Sequence, residues 1–272
     1  MTIDLKTLID DGELFARVGA DPDGITVADI ADAAVAVHDS DPAAHAPAFS
    51  AFSVGLVQNS YAALESYATL VDDFFSMNTT SLQIGQLGWT KSLVGTGAVA
   101  APTGDLGAMG YLNLQASVAN DLASISLGTT TLVGPDEFVW AARLLMSSTT
   151  TIKYMNGVMD SFAGADPANG AWFQMNSTVD TNVHCRSRNA SGVIEDTNIG
   201  AVTAGAGEWH IYEIACDGGG NISFSIDGTV EALHTTVPAA TALMSPTSII
   251  LGNATAGRNL RVDWHWMRMA RS

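Results

Sequence analysis

EWHIYEIACDGGGNISFSIDG, residues 208–228, combines a strand pattern with two turn sequences. Its second half contains ISFSI (222–226), in which apolar residues alternate with serine, the period-two pattern of a strand with one buried face. A glycine-rich segment at 217–220 precedes this strand and Asp-Gly at 227–228 follows it, and both are turn sequences typical of hairpins. The stretch therefore predicts an antiparallel β-meander.

Short alternating runs continue outward from this meander in both directions. They include SLQIGQLGW (81–89), YLNLQAS (111–117), SISLG (124–128), EFVWAARLLM (137–146), NVHCRSR (182–188) and GVIEDTNI (192–199). Many short strands with frequent turns indicate two antiparallel sheets packed face to face. We therefore expect residues 77–272 to form one mainly β, antiparallel jelly-roll sandwich.

The C-terminal strand has the cleanest alternation in the chain. Leu260, Val262 and Trp264 fall on one face of it, and Trp266 continues the series. Because tryptophans in strongly alternating strands are usually buried, we expect Trp209, Trp264 and Trp266 to belong to the core of the sandwich.

Residues 1–76 show helical spacing instead of alternation. TVAD at 26–29 has the form of a capping box, and a proline-containing segment ends the helix that it begins. We expect a small α-helical N-terminal anchor at 1–47, followed by an amphipathic helix that forms a neck at 48–76.

The neck carries an apolar series with spacings of three and four residues. Its members, together with Ser60, are Val57, Leu64, Tyr67, Val71 and Phe74. Such a stripe is typical of a coiled-coil seam and predicts a homotrimer. An amphipathic helix packed on its own domain explains the same spacing equally well, so both interpretations stay open.

The composition argues against two classes of partner. Eleven Lys and Arg against 28 Asp and Glu give a net charge of −17, which does not favour nucleic acid binding. No apolar run approaches the roughly 18 residues of a membrane span, and the N-terminus does not resemble a signal peptide. Cys185 and Cys216 are too few for a disulfide framework. We expect a protein made in the cytoplasm, with reduced thiols and no membrane insertion.

The sequence contains no motif typical of an enzyme or a metal centre. Glycosidases of the sandwich class place paired carboxylates on one strand face, but Glu208 and Glu213 are five residues apart and fall on opposite faces. The histidines form no HExxH motif, and no Gly-x-Ser-x-Gly elbow is present. His38 and His45 are better explained as helix-end residues than as ion ligands. We expect no catalytic residue, no metal and no cofactor.

Several stretches resemble a known family. The 208–228 stretch, TTVPAA (235–240) and LRVDWHWMRM (260–269) together look like the concanavalin A-like lectin/glucanase sandwich, in the versions found in bacteriophage structural proteins. DDFFSMNTTSLQIGQLGW (72–89) is similar to the way such domains begin. HDSDPAAHAPAF (38–49) is similar to segments that recur in phage fibre proteins.

The resemblance implies a non-enzymatic virion protein, a head or tail fibre or decoration protein. Its N-terminal region would bind other virion proteins, and its sandwich would project outward and adhere to a host-surface glycan. The glycan-contact candidates are Tyr154, Asn156 and Trp172, although an aromatic pair in the sandwich core explains Tyr154 and Trp172 more simply. The alternative function is a polysaccharide-degrading enzyme of the same sandwich class.

Overall fold

The computed structural model describes residues 67–72, 74, 83–85, 87–100, 111–128, 132–133, 137–239, 242–253 and 257–270. Within these ranges the secondary structure is all strand. In chain order the strands are β1 (Tyr67–Asp72), β2 (Gln83–Ile84), β3 (Trp89–Val94), β4 (Ala98–Ala100), β5 (Leu112–Ala116), β6 (Leu122–Ser126), β7 (Leu132–Val133), β8 (Phe138–Met146), β9 (Ile152–Met159), β10 (Gly170–Asn176), β11 (Val183–Arg188), β12 (Ile194–Gly200), β13 (Trp209–Cys216), β14 (Ile222–Ile226), β15 (Thr229–His234), β16 (Leu243–Gly252) and β17 (Arg258–Ala270). Among the described residues no helix is long and apolar enough to cross a membrane.

The strands form two antiparallel sheets. Sheet A has the order β15-β14-β13-β8-β17-β5-β4, with β1 also paired to β17. Sheet B has the order β12-β11-β10-β9-β16-β6-β3-β2, with β7 also paired to β16. The prediction of a mainly β, antiparallel sandwich is confirmed for the described part of the chain.

The core lies between the inward faces of the two sheets. Alternation along each strand sends one set of side chains inward, as in β11, where Val183, Cys185 and Ser187 are buried. The largest fully buried side chains of the core include Trp89, Trp140, Tyr154, Phe173, Tyr212 and Phe224. Tilted and edge-on aromatic contacts cross it, with the ring of Phe173 5.0 Å from that of Tyr212.

The meander predicted from residues 208–228 is confirmed. β13 pairs with β14, and β14 pairs with β15, both antiparallel. The hairpin between β14 and β15 turns at Asp227 and Gly228, whose φ angles are 51° and 79°. Asp-Gly is a favoured sequence for such a turn because it tolerates two successive left-handed conformations.

The alternation expected for the C-terminal strand is wrong after Val262. The register of β17 against β8 shifts between Val262 and Trp264, which leaves Asp263 as an extra residue. This bulge reverses the faces, so that His265 is buried and Trp264 and Trp266 lie half-exposed on the outward face. Trp209 is also half-exposed, so these three tryptophans are not core residues.

The helix predicted at 48–76 is wrong over its last part, because residues 67–72 form β1. This strand pairs with β17 from Tyr67↔Ala270 to Asp72↔His265. On a strand the three- and four-residue spacing loses its meaning: Val71 is 47% exposed, whereas Phe74 is fully buried. The other seam positions, Val57 and Leu64, lie outside the described residues, as does the predicted anchor.

Pairing with β17 explains why residues 67–72 form a strand instead of a helix. Asp72 ends the strand in a buried position, where its carboxylate accepts hydrogen bonds from the amides of Phe74 and Leu87 and from Nε1 of Trp89, each at 3.0 Å. These bonds tie the first strand to both sheets, since Trp89 begins β3 of sheet B. Among the described residues, the first strand of the sandwich therefore begins at Tyr67, before the boundary expected at residue 77.

Candidate functional site

The outward face of sheet B carries a cluster of charged and amide side chains. Strands β10, β11 and β12 lie at one edge of this sheet. Their outward side chains and the β10–β11 turn line a shallow pocket of about 70 Å³. We call this pocket the polar groove and define it by Gln174, Asn176, Val179, Asp180, His184, Arg186 and Asp196.

The register between strands brings these residues together. Gln174 on β10 stands opposite His184 on β11, and Arg186 on β11 stands opposite Asp196 on β12. Directly opposed residues have Cβ atoms about 5 Å apart on the same face. The groove is therefore built on paired strands, which hold its side chains more rigidly than loops do.

His184 lies between two carboxylates. Its Nδ1 is 2.8 Å from Oδ1 of Asp196, and its Nε2 is 3.2 Å from Oδ2 of Asp180. The pKa of Asp180 is lowered, first by a hydrogen bond from the amide of Asn182 and second by the bond to His184. The two carboxylates fix the plane of the imidazole ring in the groove.

Arg186 joins the groove to the connection between β9 and β10. Its Nε donates to Oδ2 of Asp196 at 2.9 Å, and its Nη1 donates to Oδ2 of Asp166 at 3.0 Å. Lys153 also donates to Asp166, at 2.8 Å. Burial alone would raise the pKa of Asp166, but the bonds and charges of Lys153 and Arg186 outweigh it, and the net pKa is lowered.

This arrangement suits hydrogen bonding better than proton transfer. A general acid near neutral pH needs a carboxyl with a raised pKa, whereas those of Asp166 and Asp180 are lowered. On β10 the positions that alternate outward hold Trp172, Gln174 and Asn176, two of which are amides and none a carboxylate. Within the described ranges no group of three or more His, Cys, Asp or Glu side chains could hold a metal ion.

The structure buries all three side chains that the sequence marked for glycan contact. Tyr154 and Asn156 lie on the inward face of β9, and neither the Oδ1 nor the Nδ2 of Asn156 finds a partner among the described residues. Trp172 points outward but is covered, and its Nε1 donates to Oε1 of Gln174 at 3.0 Å. A glycan on the surface therefore reaches none of the three.

Sequence reasoning missed the residues that do line the groove. The alternation of NVHCRSR places His184 and Arg186 on the face opposite Cys185, and this signal was available. Nothing local indicated that Asp196 would pair with Arg186, because that contact depends on the β11–β12 register. The two strands themselves were predicted correctly, and the site was not.

The fold of this chain is similar to those of several solved β-sandwich proteins. A protein of unknown function from Shewanella oneidensis MR-1 matches with a TM-score of 0.57 and 11% identity, over 85% of this chain and 96% of that one. The carbohydrate recognition domain of Emp47p matches at 0.53 and 10%, over 75% and 96%. The Bacillus licheniformis β-glucanase matches at 0.50 and 11%, over 75% and 99%.

These likenesses show the fold alone, and they agree with the antiparallel jelly-roll sandwich that the sequence predicted. No protein-family model matches the sequence, and no curated protein matches it.

Proposed function

We propose that this protein is a carbohydrate-binding module whose polar groove holds a glycan by hydrogen bonds. The observation that carries the proposal is the cluster of His184, Arg186 and Asp196 on paired strands, beside the amides Gln174 and Asn176. The fold likeness to a carbohydrate recognition domain and a glucanase supports this proposal.

The chemistry of the groove fits a neutral glycan. Each sugar hydroxyl both donates and accepts, and the groove offers carboxylate acceptors, guanidinium donors and amides that do both. Its charged side chains are already bonded within the groove, because Arg186 bonds to Asp166 and Asp196, and His184 bonds to Asp180 and Asp196. A charged ligand would have to compete with these pairs, whereas hydroxyl groups add to them.

We propose a binding role rather than hydrolysis. Hydrolysis of a glycosidic bond needs a protonated acid and a second carboxylate at a set separation. Because their pKa values are lowered, Asp166 and Asp180 supply no protonated acid at neutral pH, and the outward positions of β10 hold amides where a catalytic carboxylate would be needed. A polysaccharide-degrading enzyme remains the alternative, and release of reducing sugar that disappears when one groove carboxylate is neutralised would establish it.

We also propose that this module is part of a bacteriophage particle. It is supported by the resemblance of residues 208–228, 235–240 and 260–269 to sandwiches of phage structural proteins. Residues 1–47 would then attach the protein to other virion proteins. The homotrimer stays a prediction, and residues 67–72 do not contribute a helical seam to it because they form β1. Particles assembled with a chain lacking residues 1–47 are expected to lack the protein in electron micrographs; full incorporation would contradict the anchor.

A glycan screen followed by calorimetry tests the binding proposal. The wild-type protein is expected to bind at least one glycan. His184→Ala is expected to weaken that affinity by about tenfold, because both ring nitrogens of His184 bond the carboxylates of Asp180 and Asp196 and hold them in place for the ligand. The matched control is His210→Ala. His210 is also held by an aspartate, with its Nδ1 2.6 Å from Oδ2 of Asp227, but it lies on sheet A.

His210→Ala is expected to bind the glycan as the wild type does. Equal affinity of the wild type and His184→Ala for every glycan that binds would contradict the proposed site. If the wild-type protein binds no glycan in the screen, the proposed function is contradicted.

A further inference from the structure

The β9–β10 loop, residues 160–169, lies on the outward face of sheet B beside the polar groove. Ser124 on β6 donates its hydroxyl to the carbonyl of Phe162 at 2.9 Å, and Lys153 on β9 donates to the carbonyl of Gly164 at 3.1 Å. Gly164 approaches β6 so closely that an added Cβ would lie 2.7 Å from a methyl carbon of Leu122. The loop therefore runs across β9 and β16 and reaches β6.

An apolar cluster fills the space beneath this loop. It is separate from the main core and consists of Leu122, Met155, Met159, Trp172 and Ile249, with Phe162 and Leu251 packed against it. Satellite clusters of this kind usually form under long loops. All five cluster residues are buried although they point away from the sandwich interior, so the loop covers this half of the outward face.

The loop is fixed at several points. Its ends meet where the amide of Asp160 donates to the carbonyl of Asn169 at 3.1 Å, and the Asp160 carboxylate accepts from the amides of Ala168 and Asn169. Arg188 donates to the carbonyl of Pro167 at 3.2 Å. The Asp166 bridge to Lys153 and Arg186 completes the attachment on the groove side.

The groove is thus closed on two sides. The β9–β10 loop stands along its inner side, towards the middle of sheet B, and contacts it through Asp166 and Arg186. The β10–β11 turn, with Asp180 and the 76% exposed Val179, closes the end of the groove where β10 stops. A chain crossing the strands meets the loop, and a chain running along them meets the turn.

We infer that the polar groove binds the end of a glycan chain, and that the β9–β10 loop is the element that excludes internal chain segments. This inference rests on the proposed function and adds the class of ligand to it. The groove offers about 70 Å³ of enclosed space, far less than the roughly 300–1,000 Å³ of typical ligand sites, so it holds only part of one terminal sugar unit.

Inhibition by size-fractionated glycans tests the inference with the full-length wild-type protein. The probe is a labelled short oligosaccharide that binds in the screen, and the competitors are chains of the same repeat in several narrow length classes. If only ends bind, inhibition per mole of chains stays constant as the chains lengthen. If internal segments bind, inhibition per mole of chains rises in proportion to length, because each chain offers more sites.

A second arm uses a variant in which a short Gly-Ser linker replaces residues 161–168. This change is expected to expose Trp172, on which a sugar ring can then stack. Inhibition of probe binding to this variant, per mole of competitor chains, is expected to rise with chain length. Asp166→Asn, which removes only the bridge to Lys153 and Arg186, is the milder variant if the shortened loop fails to fold. Asp263→Asn, which breaks the Arg143–Asp263 pair on sheet A, is its matched control.

If longer competitor chains inhibit binding of the probe to the wild-type protein more strongly per mole of chains, the inference is overturned, while the proposed function still holds. Absence of binding to any glycan would overturn both. Constant inhibition per mole of chains, together with a gain of length dependence in the shortened-loop variant, is the result that supports it.

Discussion

Replacing His265 by alanine is expected to lower the free energy of unfolding by about 3–5 kcal/mol. The side chain is only 3% exposed. Nε1 of Trp140 donates to its Nδ1 at 3.1 Å, and its Nε2 lies 3.0 Å from the hydroxyl of Ser248. Alanine would leave a cavity among the packed rings and a buried indole N–H without an acceptor.

The ring of His265 also joins the two sheets. It packs against Trp89 of sheet B at 4.6 Å and against Trp140 of sheet A at 5.6 Å between ring centroids. Because Trp140 donates to Nδ1, the hydrogen of the neutral ring must be on Nε2, which donates to Ser248. The substitution therefore removes packing and two directed hydrogen bonds at once.

Chemical denaturation followed by circular dichroism measures this effect. Ser248→Ala, which removes only the acceptor at Nε2, is expected to cost about 1 kcal/mol. His210→Ala on the surface is expected to change stability by less than about 0.5 kcal/mol. A loss below 1 kcal/mol for His265→Ala would show that the side chain does not hold the sheets together.

The same experiment at several pH values has a defined sign. Burial lowers the pKa of His265 from 6.5 to about 3, so the folded protein keeps the ring neutral where the unfolded chain takes up a proton. The contribution of His265 is complete above pH 6.5 and decreases as the pH falls towards 3. The difference in stability between wild type and His265→Ala is therefore expected to narrow over that range.

Replacing Arg186 by alanine is expected to lower glycan affinity by roughly 10- to 100-fold. Arg186 bonds to Asp196 inside the groove and to Asp166 in the β9–β10 loop. The substitution removes a guanidinium group that can donate hydrogen bonds to the ligand. It also removes a contact that holds the loop beside the site. Calorimetry with the oligosaccharide from the screen measures the affinity, and amide hydrogen exchange of residues 161–168 measures the loop.

Arg143→Ala is the matched control for this substitution. Arg143 also forms a surface ion pair, at 2.6 Å from Asp263, but on the outward face of sheet A. Arg143→Ala is expected to change stability by no more than about 1 kcal/mol, the usual worth of an exposed pair. Arg186→Ala is expected to cost about 1–2 kcal/mol, because its side chain is mostly buried and bonds two carboxylates. Equal loss of glycan affinity in the two variants would mean that the effect is indirect and would contradict the proposed site.

The sequence predicted those features that depend on local pattern. The meander of β13, β14 and β15 follows from alternation and from an Asp-Gly turn, both of which lie within about twenty residues. The strands that carry His184, Arg186 and Asp196 were predicted for the same reason. Local alternation specifies where strands lie and which residues share a face.

Features that depend on pairing between distant strands were not predictable in this way. The bulge at Asp263 turns Trp264 and Trp266 outward, because β17 must match β8 on a face set by the whole sheet. β1 forms because it pairs with β17, which is far away in the sequence: Asp72 and its partner His265 are 193 residues apart. The covering of Trp172 by the β9–β10 loop is also a tertiary effect.

A structure of the protein bound to the oligosaccharide that binds best in the screen would show where the ligand lies. We expect the sugar in the polar groove, in hydrogen-bond contact with Arg186 or Asp196 and with its terminal unit against the β9–β10 loop. A sugar bound elsewhere, such as on the outward face of sheet A beside Trp264 and Trp266, would contradict the proposed site.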